Sequence, residues 1–170
     1  MSDRENCECD KDPSLVSITF SDVDDEVTNA TIRFHVPSIP IAQPRQRSAV
    51  IAGHVRTYTP TKHPVNGFKA SVQSALASVH HGPPLEGPLR LMACFVLPRP
   101  KNKIWKTRDM PRLWHAKKPD VDNLLKSLKD AMTGLAWRDD SQVCYVSAVK
   151  VVADGDEQPH VEVEVEVIGD

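Results

Sequence analysis

An α+β domain, one mixed β-sheet packed against two helices, is what the sequence predicts. Three observations carry that reading: five stretches with strand patterning, two with helical apolar spacing, and the order β-β-α-β-α-β-β instead of strict βα repeats. At 170 residues the chain suits one such domain and is short for two. No internal repeat is visible.

Residues 1–29 read as an acidic, partly disordered extension, with nine acids against two bases, a net of −7. Within it, residues 15–20 have strand character, and Ser21 to Glu26 form a turn. The domain proper is expected over residues 30–170. Its first strand, residues 30–36, alternates cleanly and is closed by Pro37 and Pro40. The basic stretch from Gln43 to Pro60 lacks an apolar face and reads as an exposed loop or irregular hairpin.

Val65, Phe68, Val72, Leu76 and Val79 keep helical spacing between Pro64 and His80. A strand over 89–97 follows, stopped by Pro98 and Pro100, and then a long Lys/Arg-rich loop from Arg99 to Pro119. Asp120 or Asp122 can cap a second helix with the inward stripe Leu124, Leu125, Leu128 and Met132, ended by Gly134. Residues 142–153 and 160–168 are two strands, expected to form a hairpin through Asp154-Gly155-Asp156. Valines alternate with Glu162, Glu164 and Glu166 in the last strand, so one face should be buried and one wet.

The overall charge of −2 conceals a sharp pattern. From Gln43 to Lys118 fourteen Lys and Arg face only Glu86 and Asp109, a net of +12, and residues 119–170 then carry twelve acids against four bases. A basic stretch beside an acidic cluster suits a protein that attracts phosphates and also holds a divalent cation; a merely solvated surface is the plainer alternative. Cys7, Cys9, Cys94 and Cys144 have neither disulfide-framework nor zinc spacing, and buried reduced thiols are expected. With no signal-peptide pattern and no apolar run of membrane-spanning length, a cytoplasmic location is expected.

Phosphodiester hydrolysis needs an activated water and a hard cation to withdraw charge from the phosphate, and magnesium takes a few convergent carboxylates. Asp120 and Asp122 sit at a helix start where both can face one cation, and Lys126 lies four residues on from Asp122, on the same helical face. Asp139 and Asp140 follow just before a strand whose end could bring them beside that helix start. Singly, each has a duller reading as helix cap, solvated lysine or turn.

The run KPDVDNLLKSLKDAMTGLAWRDDSQV, residues 118–143, resembles the signature of the RusA family of Holliday junction resolvases, with its D-x-D-N-x-x-K core and later W-x-D-D-x-Q-V. Weaker similarity over residues 30–168 includes Gln43-Pro44-Arg45-Gln46-Arg47 and Tyr58-Thr59-Pro60. The resemblance implies a RusA-like fold, a homodimer, magnesium or manganese, and a metal-dependent endodeoxyribonuclease acting on four-way junctions and other branched DNA in recombination and repair. It implies Asp120, Asp122, Lys126 and Asp140 as the catalytic set, with Asp139 a supporting metal ligand. The acidic extension and the longer basic loop depart from the family pattern.

Arg45, Arg47, Lys101, Lys103, Lys106, Lys117 and Lys118 are candidates for phosphate contacts, and Trp105 or Trp114 for stacking on an exposed base. Two rival readings are a non-catalytic branched-DNA-binding protein and a restriction-like nuclease. The second expects an acid-x-Lys that Asp139-Asp140-Ser141-Gln142 lacks.

Overall fold

Alternation in Thr31–Val36 (β1) buries Ile32, Phe34 and Val36 while their neighbours face solvent, and the strand pairs antiparallel with His160–Val167 (β7). The computed structural model describes residues 30–44, 47–51, 54–58, 62–105 and 107–169. The extension over 1–29, with its expected strand, Cys7 and Cys9, lies outside them.

Leu89–Leu97 (β4) takes the centre of a five-stranded sheet of order β1-β7-β4-β6-β5. It pairs antiparallel with β7 and parallel with Val143–Val152 (β6), while Leu113–Trp114 (β5) adds a short edge on Val152 and Val151. The expected α+β fold is therefore present, but the expected hairpin between the last two strands is not. β4 is apolar enough to be buried on both faces and lies between them, so residues 153–159 cross its end instead of making a tight turn. A separate antiparallel ribbon, Arg47–Ile51 (β2) with His54–Tyr58 (β3), occupies the stretch expected to be loop or irregular hairpin.

Val65–Val79 (α1) and Val121–Met132 (α2) cover one face of the sheet. Phe68, Val72 and Leu76 meet Leu124, Leu128 and Met132 over the inward rows of β1, β4 and β7, with Trp137 closing the core. Each such side chain contributes roughly 1.5–3 kcal/mol by leaving water. Helix α2 stops at Met132, and just past its C-cap Thr133 stands Gly134, whose φ of +84° only glycine adopts cheaply.

The opposite sheet face is not simply wet. Its glutamates are partnered by arginines: Arg33 Nε lies 3.1 Å from Glu164, which is itself buried, Arg90 pairs with Glu166, and Arg112 reaches Glu162 at 2.7 Å. Cys94 is buried on this side and its thiol is pushed up to about 12 by burial and by Glu162, whereas Cys144 is exposed, against the expectation of a buried thiol. Among the described residues no helix is long and apolar enough to cross a membrane.

Candidate active site

Helix α2 lies between β5 and β6 in the chain, and the acidic residues sit at its two ends. Asp120 occupies the N-cap position in extended conformation, yet its side chain makes no capping hydrogen bond. Asp122 and Lys126 are exposed, and neither their side chains nor that of Asp120 bond or pair with another described residue. Their spacing places Asp122, Lys126, Lys129 and Thr133 along one helical face.

At the far end of that face stands Asp140. Its Oδ1 accepts from the Thr133 hydroxyl at 2.6 Å and from Trp137 Nε1 at 2.9 Å, while Lys129 Nζ lies 3.5 Å from Oδ2. Burial pushes this carboxyl up, but the two hydrogen bonds and the Lys129 charge outweigh it and hold it below the ordinary carboxylate value. Asp139 caps the 3-10 turn Asp140–Gln142, accepting from the Ser141 N–H at 2.8 Å. The Gln142 amide oxygen accepts in return from the backbone of Asp139, so this acid, expected as a supporting metal ligand, orients the turn that carries Asp140.

The structure thus brings Asp120, Asp122 and Lys126 together but does not bring Asp140 to them within one chain. Thr133, which holds Asp140, stands eleven residues along the helix from Asp122, roughly 16 Å at 1.5 Å per residue. The expectation that a strand end would place Asp140 beside the helix start fails because Trp137, buried against the C-terminal end of α2, ties Asp140 there.

Basic segments flank the N-terminal end. Gln43 N–H donates to the Asn123 carbonyl at 2.9 Å, and the buried Ser127 hydroxyl to that of Ile41 at 2.6 Å, so the β2–β3 ribbon springs from the first turns of α2. Arg45 and Lys106 lie outside the described residues, as does the side chain of Arg47. Lys101 and Lys103 are exposed on a 3-10 turn, and Lys117 and Lys118 are exposed just before Asp120. Arg99 organises the long loop by donating to four carbonyls, those of Ala153, Lys103, Met110 and Pro111. Of the two tryptophans, Trp105 has Arg108 over its ring at 4.7 Å, whereas Trp114 is 59% exposed.

Sequence reading missed one cluster. Glu157, His160 and Glu162 offer three ligand atoms within 4.8 Å, but Arg112 already donates to both carboxylates, so a guanidinium stands where a cation would sit. Arg112 is 45 and 50 residues away in sequence from the two glutamates that it holds, with no shared motif to announce the pairing.

Carboxylate oxygens without partners among the described residues suit a hard divalent cation, and Oδ2 of Asp140 is the less engaged of its two oxygens. The Endodeoxyribonuclease RusA family model matches residues 37–166. The Uncharacterized protein YqaN of Bacillus subtilis (strain 168) is 34% identical over 139 residues, covering 78% of this chain and 93% of that protein. The Crossover junction endodeoxyribonuclease rusA of Lactococcus phage r1t is 37% identical over 79 residues, 46% of this chain and 53% of the phage protein.

Proposed function

This chain belongs to the RusA family of endodeoxyribonucleases, and from that premise we propose that it is a homodimeric, divalent-metal-dependent nuclease that cuts Holliday junctions and related branched DNA during recombination and repair in the cytoplasm. The observation that carries the reading is the α2 face, with two unpartnered aspartates at one end, Lys126 along it and Asp140 at the other end.

A two-fold axis that sets α2 antiparallel to its mate brings Asp120 and Asp122 of one protomer to Asp140 of the other. The outer edge of β6 supports such a seam. Beyond the short β5 pairing at Val151 and Val152, that edge has no strand partner among the described residues, and Tyr145 and Val146 are 53% and 40% exposed. Two sites related by a dyad match two symmetry-related strands at a four-way junction.

Asp120, Asp122 and the mate's Asp140 supply oxygens for magnesium or manganese. That cation, when bound, withdraws charge from the phosphate and lowers the pKa of water. Lys126 faces the same space and stabilises the negative charge that builds on the phosphoryl group. Lys101, Lys103, Lys117 and Lys118 hold flanking phosphates, with Arg45, Arg47 and Lys106 as further candidates, and Trp114 offers the freer ring for stacking.

Complementation tests the arrangement. Neither D122N nor D140N should cut a labelled four-way junction alone, but their mixed heterodimer regains one intact site and nicks one strand per junction. Inactivity of the heterodimer would mean that each site is built within one chain. Tight metal-independent binding by wild type without nicks would instead favour a non-catalytic junction-binding protein.

A further inference from the structure

Strand β6 does more than carry Asp140 into the sheet. Lys150 is opposite Phe95 in the β4–β6 register, and Phe95 belongs to the core under the helices, so Lys150 projects from the face that bears α2. Its ammonium donates to the carbonyl of Lys117 at 2.7 Å and to that of Pro119 at 2.5 Å. These two carbonyls bracket Lys118, and Asp120 is the next residue after Pro119.

The chain entering Asp120 has few other restraints. Trp114 pairs with Val151, and His115 N–H donates to the Lys150 carbonyl at 3.3 Å. From residue 116 to residue 119 no backbone-to-backbone hydrogen bond is made among the described residues. Among the described residues Asp120 itself is hydrogen-bonded only on its C-terminal side, where its carbonyl accepts from Leu124 N–H at 3.2 Å, because its side chain caps nothing. Besides Lys150, the His115 ring is the other described group that bonds this stretch, at the Lys117 backbone, so the Pro119 carbonyl next to Asp120 depends on the Lys150 ammonium.

We propose that Lys150 is a positioning residue for the cation site, its ammonium pinning the carbonyls of Lys117 and Pro119 so that Asp120 enters α2 with its carboxylate beside that of Asp122. This rests on the reading that Asp120 and Asp122 bind the cation. The ammonium acts through carbonyls, so it holds the loop without neutralising the carboxylates themselves. It also fixes the backbone of Lys117 and Lys118, whose side chains are exposed.

Two opposed effects make the test informative. A positive charge near a divalent cation repels it, so its removal alone would tighten metal binding; loss of the staple would loosen the ligands and weaken it. Mn²⁺ affinity is measured by calorimetry on DNA-free wild type, K150M, K150R and D122N, with hydrogen exchange of residues 116–120 alongside. K150M should bind Mn²⁺ about tenfold more weakly and exchange faster at 116–120 while keeping its Tm. K150R, whose fork can reach two carbonyls, should recover most of the affinity. Unchanged or tighter Mn²⁺ binding in K150M, or no recovery in K150R, overturns the proposal. Equal Mn²⁺ binding by wild type and D122N overturns the carboxylate reading, and the proposal falls with it.

Discussion

The hydroxyl of Thr133 donates to the carboxylate of Asp140 at 2.6 Å, joining the C-cap of α2 to the turn before β6. Trp137 Nε1 reaches the same oxygen at 2.9 Å, so helix, turn and core all aim one carboxylate.

That bond should matter for catalysis more than for folding. A hydrogen bond to a charged group contributes about 1.5–3 kcal/mol. Thr133→Val should lower junction cleavage on the order of tenfold while junction affinity in a chelator holds. Trp137→Phe, which keeps the ring and removes the N–H, should act in the same direction. Single-turnover cleavage measures both, and unchanged rates in both would show that Asp140 needs no such support.

Removing the unpartnered charges should have a different signature. Asp122→Asn and Lys126→Met should each reduce cleavage by about 10² or more, as expected for groups acting on charge in the transition state. Both side chains are exposed and unpaired with any described residue, so melting temperatures should stay within about 2 °C, a shift matching surface changes of under 0.5 kcal/mol.

Binding should carry the mark of the basic loop. Reversing Lys101, Lys103 and Lys106 to Glu should weaken junction affinity and reduce the slope of log affinity against log salt by about 0.9 for each phosphate no longer neutralised. A slope unchanged from wild type would remove these lysines from the interface.

Acid stability should depend on Arg112. Burial pushes the carboxyls of Glu157 and Glu162 up, but bonds from Arg112 outweigh it and hold both below their ordinary value of 4.5. Depressed carboxyl pKa values mean that this stabilisation is complete above pH 4.5 and is lost as the pH falls through the depressed values. Arg112→Met should therefore cost about 2–3 kcal/mol near neutral pH, where two partly buried carboxylates lose their guanidinium and keep only His160 and the Asp154 N–H. The difference from wild type should shrink in urea melts below pH 4.5. A gap that persists at low pH would assign the loss to packing.

Local pattern foretold local structure well. The apolar spacing of Val65, Phe68, Val72 and Leu76 and the stop at Gly134 gave both helices, because each signal lies within a few residues of the element that it specifies. Sheet order was not legible in the same way. Nothing between Val152 and His160 announces that β4 intervenes, since strand pairing is decided by which strand is apolar on both faces. Asp140 followed the same logic: its motif was visible, but its place depended on Trp137 packing under the end of α2. Lys150 and Arg99 were invisible as organisers because each holds backbone carbonyls, which leave no trace in side-chain chemistry.

Helix α2 is also a ruler. Its 12 residues set the separation between the two acidic groups of a chain, and in a dyad dimer the same length sets the distance between paired catalytic centres. Substitution on its surface leaves that length alone, but one inserted residue would advance Asp140 by about 1.5 Å and turn it by about 100° around the axis. Deletions and insertions should therefore be far less tolerated here than in the loops at either end, and in the proposed dimer the spacing of the two incisions would follow from a number of helical turns.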